Sequence, residues 1–222
     1  MRQTSEPSTR RAIGRAAVCS GLGVVLAVSL SACSGGSGDG EDATLTAAQV
    51  CDATLDSPAA TSLERVGATD KFKELPGTNE AGEPNRFSLK RAATGVTEGP
   101  AEQDKCTVFT STDESDHPLI EVSFTAEQHA PTPDASAEPA GSVLYPIGVY
   151  AKTNAKNSAT IYFRCPTRGI TYVNASLYSA PDQTSPKTTG HDLMVVLNSV
   201  SRALARQLGC ASQADLPARV TP

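Results

Sequence analysis

Apolar residues along this chain follow three patterns, and the places where the pattern changes divide it. The first apolar block, Gly21 to Leu30, is continuous. Ser34 to Asp42 then carries only Ser, Gly and acidic residues. Gly leaves the backbone unrestrained and no side chain there can build a core, so this stretch reads as a tether. Folded structure is expected from Leu45 or Val50 onward, where apolar positions are sparse and spaced as on helices. Ser57-Pro58 opens a helix predicted to run to Val66, with Ser57 as cap, Pro58 in the first turn and Gly67 as the stop. A second helical piece is predicted over Asp70 to Leu75, ending at Pro76-Gly77. One or two turns follow over Phe87 to Ala93, before Gly95.

From Cys106 the period becomes two. Cys106 to Ser111 and Leu119 to Ala126 make a hairpin across an acidic turn, with Ile120, Val122 and Phe124 on one side and Glu121, Ser123 and Thr125 on the other. Gln128 to Gly141, rich in Pro and Ala, is a long loop. Val143 to Ala151 is a strand bent at Pro146 and Gly148. Ala159 to Cys165 and Thr171 to Tyr178 are two more strands. Ile161, Phe163 and Cys165 share one face, as do Val173, Ala175 and Leu177. Thr189 and Asp192 then open a helix whose Leu193, Val196, Leu197, Val200, Leu204 and Leu208 form one apolar stripe, stopped by Gly209. The expected fold is α+β: an antiparallel sheet of about five strands, short N-terminal helices, and one long C-terminal helix packed on a sheet face.

The front of the chain carries an address. Arg10, Arg11 and Arg15 precede the apolar block, which is too short to span a bilayer comfortably. It ends in Leu30-Ser31-Ala32-Cys33. This resembles the lipobox of bacterial lipoproteins. The resemblance implies a diacylglycerol on the Cys33 thiol and cleavage just before it. The domains expected are therefore a signal peptide at 1–32, the lipidated Cys33 with its tether at 33–44, and one α+β domain at 45–222. Ser8-Thr9-Arg10-Arg11-Ala12-Ile13 also resembles a twin-arginine export signal lacking its later Lys; an ordinary charged n-region accounts for the same residues. At about 5–6 Å × √n, the tether would hold the domain only ~15–20 Å from the lipid.

Charge and cysteine count narrow the picture further. Losing residues 1–32 removes four arginines and Glu6, which takes the net charge from −5 to −8. An acidic, Trp-free body repels nucleic-acid phosphates and offers no broad basic surface to anionic lipid. The membrane partner is reached through the lipid anchor, at the extracytoplasmic face. With Cys19 removed and Cys33 lipidated, Cys51, Cys106, Cys165 and Cys210 remain, an even number in an oxidising compartment. Zinc is the rival reading, but no Cys-x-x-Cys spacing exists. Cys165 lies on the apolar strand face that the terminal helix must cover, which favours Cys165–Cys210, and with it Cys51–Cys106, over the other two pairings. In its lipobox, tether, cysteine layout and terminal helix closed by Gly209-Cys210, the chain resembles small actinobacterial lipoproteins of unassigned function. The resemblance implies the compartment and the disulfides and supplies no substrate.

No catalytic motif and no cofactor motif is recognised. His117 lies in the acidic turn with Asp113, Glu114 and Asp116, His129 in the Pro/Ala loop, and His191 in the first turn of the last helix. The tyrosines say more. Parity puts Tyr162 with Arg164, and Tyr172 and Tyr178 with Asn174 and Ser176, opposite the apolar faces. Tyr offers contact area at low entropic cost, so such a face suits recognition of an envelope protein or glycan. The competing reading is that these tyrosines form ordinary cross-strand pairs or pack under an N-terminal helix. The function expected is binding in the cell envelope; the alternative is a small envelope enzyme with an unrecognised site.

Overall fold

The computed structural model describes residues 44–80, 82–98, 104–132, 139–154, 157–167 and 169–221. The signal segment, Cys33 and its tether lie outside the described residues, as does the middle of the Pro/Ala loop.

Among the described residues the fold is α+β. The helices are α1 (Val50–Ala53), α2 (Ser57–Gly67), α3 (Leu89–Glu98) and α4 (Gly190–Gln207). The strands are β1 (Phe72–Glu74), β2 (Cys106–Thr110), β3 (Ile120–Glu127), β4 (Ser142–Leu144), β5 (Tyr150–Asn154), β6 (Ser158–Thr167) and β7 (Ile170–Tyr178). They form one sheet in the order β1-β2-β3-β7-β6-β5-β4, with every neighbouring pair antiparallel.

Seven strands replace the expected five for two reasons. The predicted strand Val143 to Ala151 is broken at Pro146 and Gly148 into β4 and β5. Gly148 has φ +61°, and a Cβ there would stand 2.5 Å from the Tyr162 carbonyl oxygen, so only glycine passes. The predicted helical piece Asp70 to Leu75 is instead β1. Phe72 and Glu74 pair with Thr110 and Val108, and Leu45 bridges Phe72 from the other side. Three residues with two charges carry no local strand signal; the edge of β2 supplies one. Helix α3 is also longer than expected, running through Gly95.

Helix α4 is the element the rest is packed on. Thr189 Oγ1 accepts from the Asp192 amide while the Asp192 carboxylate accepts from the Thr189 amide, a reciprocal capping box. Its predicted stripe is buried: Leu193, Val196, Leu197, Val200 and Leu204 are fully enclosed. Each such side chain contributes roughly 1.5–3 kcal/mol of apolar burial. The stripe lies on β5, β6 and β7; α2 packs on α4, and α3 on α4 and β3. Gly209, with φ +77°, ends α4 as expected.

Helix α2 departs from the expectation at both ends. Its cap is Asp56, whose carboxylate accepts from the Ala59 amide, so Ser57 and Pro58 are already in the first turn. Its left-handed terminal residue is Ala68, not Gly67. Gly67 serves a different purpose: a Cβ there would lie 2.9 Å from the Leu119 side chain, which would have to shift to admit it.

The disulfides join Cys51 to Cys106 and Cys165 to Cys210, the favoured pairing. The second fastens the end of α4 to β6. The first fastens α1 to β2, and it does so across an unusual backbone. Cys51, Asp52 and Ala53 all have φ between 53° and 57°. A left-handed non-glycine residue costs about 1–2 kcal/mol. Four contacts hold this turn: the bridge, the Cys51 amide on the buried Glu74 carboxylate, the Leu89 amide on Asp52, and the Thr54 hydroxyl on the Cys51 carbonyl.

Candidate binding faces

The strands alternate strictly, so the sheet has two chemically distinct sides. On the helix side lie Val122, Phe124, Ile161, Phe163, Val173, Ala175 and Leu177, all buried. All four helices belong to this side: α2 and α3 through α4, and α1 through the bridge to Cys106. No described helix covers the other side.

That other side holds the residues singled out by parity, and the register sets them in rows. Glu127, Tyr172 and Arg164 are direct partners across β3, β7 and β6. The next row runs Thr125, Asn174, Tyr162 and Tyr150, and a further one Glu121, Tyr178 and Ser158. The Arg164 guanidinium lies 5.8 Å from the centre of the Tyr172 ring, and Lys152 Nζ lies 5.7 Å from that of Tyr150. Tyr150 meets Tyr162 edge-on at 6.1 Å. Such cation–π and edge contacts add roughly 0.5–1 kcal/mol each at exposed sites. The Tyr162 phenol is pushed above its usual range by partial burial and by the nearby Glu127 carboxylate. Tyr178 is half exposed at 50%. The five predicted residues are thus brought together on one side of the sheet; Tyr150, which sequence parity could not reach across the Gly148 bend, lies on the same side but is buried beneath its neighbours at 5% exposure.

Chemically, this face presents flat aromatic area flanked by guanidinium, amide and hydroxyl groups.

Two carboxylates are buried: the sequence marked Asp192 only as part of the opening of the last helix, and gave no sign of Glu74. Asp192, 3% exposed, accepts from the Thr189 amide and hydroxyl and from Arg65 Nε and Nη2. Burial opposes its charge, but these bonds outweigh burial and hold the carboxyl below its usual range. Glu74 shows the opposite balance. Burial raises it despite the Cys51 amide and Arg86. A Glu74 oxygen and the sulfurs of Cys51 and Cys106 lie within 4.8 Å of one another. The sulfurs are bonded to each other and the carboxylate is engaged by Arg86, so the cluster functions as a staple.

The histidines are scattered. His117 Nδ1 pairs with Asp182 at 3.0 Å on the surface, and this carboxylate raises the imidazole above its usual range. His129 is exposed. His191 stacks on Tyr145 with centroids 6.1 Å apart.

On the helix side, two adjoining grooves of about 460 and 360 Å³ run between α2, α4 and the C-terminal stretch around Ala218 and Arg219. The sequence offered no sign of them, because their walls come from three separate segments. Compared with protein-family models, curated proteins and solved structures, the chain matches none.

Proposed function

We propose that this protein is a lipid-anchored binding module of the cell envelope, which engages a protein or glycan ligand through the side of its sheet that no described helix covers. The observation that carries the reading is the one-sided architecture. Every described helix and both disulfides stabilise one face, while the opposite face gathers Tyr162, Arg164, Tyr172, Asn174 and Tyr178 on rigid strands. Aromatic rings with few rotatable bonds, interleaved with Arg and Asn, lose little entropy on docking. Anchoring at Cys33 would keep that face close to the membrane surface.

Two measurements test the two halves of the proposal. Cys33→Ala should leave the protein without its lipid mass and out of the membrane fraction; retention of both would refute the anchor. Tyr162→Ser with Tyr172→Ser should remove most crosslinks made by the lipidated protein in its own membrane, or most binding to peptidoglycan fragments, with the fold intact. Unchanged capture of both ligand classes would refute the face.

A further inference from the structure

We infer that the Cys51–Cys106 bridge is a redox-sensitive clasp: a dithiol opens it in preference to Cys165–Cys210, and opening releases the segment from Leu45 to Ala53 while α4 stays packed on the sheet. Loop length and solvent access do not distinguish the two bridges. Their cysteines stand 55 and 45 residues apart, so chain entropy treats the two loops almost alike. All four cysteines are enclosed, Cys210 being the most exposed at 2%.

What differs is the backbone that each bridge holds. Neither Cys165 nor Cys210 has a positive φ, and the left-handed position beside Cys210 is filled by Gly209, which adopts it without strain. Cys51, Asp52 and Ala53 instead place three successive non-glycine residues in that region, at φ 53°, 57° and 53°. In each of them Cβ crowds a carbonyl oxygen. Strained residues persist only where their surroundings over-determine them. Here the tertiary contacts come from three elements: Cys106 on β2, the Glu74 carboxylate on β1 accepting from the Cys51 amide, and the Asp52 carboxylate accepting from the Leu89 amide at the start of α3.

The bridge is the covalent member of that set. Once it breaks, the turn relaxes toward the right-handed region, and the strain given up favours the reduced form. A strained disulfide has a correspondingly more oxidising potential. Glu74 acts in the same direction, because burial opposes its charge and opening returns it to water. The released piece has a defined end. The Asp56 amide donates to Ser199 Oγ and its carboxylate holds Arg202, both on α4, so the chain beyond Thr54 stays fastened.

The step is thiol–disulfide exchange. Local opening of the turn admits one thiolate of the dithiol, which attacks a bridge sulfur; the S–S bond breaks, a mixed disulfide forms, and the other cysteine leaves as thiolate. The second thiol of the dithiol then displaces the remaining cysteine. The dithiol ends as a disulfide, and its two electrons and two protons pass to Cys51 and Cys106, which end as thiols.

The test equilibrates the purified full chain with mixtures of reduced and oxidised dithiothreitol, traps free thiols by alkylation, and reads each bridge by peptide mapping. The equilibrium constant for reducing Cys51–Cys106 should exceed that for Cys165–Cys210 by at least about tenfold, which is about 30 mV for a two-electron couple. With the first bridge reduced, amides of Val50 to Ala53 should lose hydrogen-exchange protection while those of β6 and α4 keep theirs. Ala53 is exposed, so its variants tune the strain without a steric clash in the core. Ala53→Gly should lower the ratio about threefold, an effect partly offset by the chain entropy of glycine, and Ala53→Val should raise it. The inference is overturned if the two bridges reduce within threefold of each other or Cys165–Cys210 opens first. It is equally overturned if reducing Cys51–Cys106 alone strips α4 of protection, or if both Ala53 variants leave the ratio unchanged.

Discussion

The two sides of the sheet share every backbone hydrogen bond yet differ in what holds their side chains. On the helix side Ile161, Phe163 and Val173 are fully enclosed by α4, and the strand beneath is bridged to the end of that helix through Cys165 and Cys210. On the other side Tyr162, Arg164 and Tyr172 are held by neighbours on the same surface, in pairs. Apolar burial and cross-links sum over many contacts, whereas exposed ring and ion contacts contribute roughly 0.5–1 kcal/mol each. Stability therefore resides on one side, and the other is free to carry chemistry that a core would not tolerate.

If that contrast is sound, the largest loss should come from the helix side. Cys210→Ser opens a bridge whose cysteines are 45 residues apart. Chain entropy assigns such a loop about 4 kcal/mol, less any strain. The last turns of α4 should lose hydrogen-exchange protection before the remainder unfolds. A melting temperature within error of wild type would break the comparison at its root.

Next in size is Asp192→Ala. It removes the capping box and the partner of Arg65, so about 2–3 kcal/mol should be lost in denaturant titrations at neutral pH. The pH dependence has a definite sign. Because the folded carboxyl is held below its unfolded value, its contribution is present above the unfolded pKa and disappears as pH falls through the folded one. Asp192→Asn should flatten that acid limb. An unaltered limb would assign acid sensitivity to other carboxylates.

The smallest loss should come from the bare side. Tyr162→Ser with Tyr172→Ser gives up one edge contact, one cation–π contact and some strand propensity, together about 1–2 kcal/mol. A loss exceeding that of Asp192→Ala would mean these rings are structural, and the recognition face would have to be sought elsewhere.

Much of this molecule could be read before folding was known, and the legible parts have a common cause. The stripe from Leu193 to Leu204, the Thr189–Asp192 capping box, Gly209 as terminator and the alternation through Ile161, Phe163, Val173 and Leu177 are all signals set by residues a few positions apart. Local periodicity decides which side chains share a face, and hydrophobicity decides which face is buried. From those two facts the α+β class, the covering helix and the partner of Cys165 follow, because a helix lying on that face brings Cys210 to it.

What tertiary structure alone decided lies where distant segments meet. Phe72 to Glu74 is a strand only because β2 offers an unpaired edge. Gly67 is glycine because Leu119 packs against it, and Asp56 rather than Ser57 caps α2. Glu74 is buried beside a disulfide that its own neighbourhood does not announce. The left-handed turn at Cys51 to Ala53 persists because three contacts from elsewhere in the domain, with the local Thr54 hydroxyl, outweigh its strain. The groove is the clearest instance: α2 contributes Arg65, α4 contributes Asn198 and Arg206, and the C-terminal stretch contributes Arg219. No periodicity within one segment encodes a wall built from three, since the free energy that assembles it comes from packing between them.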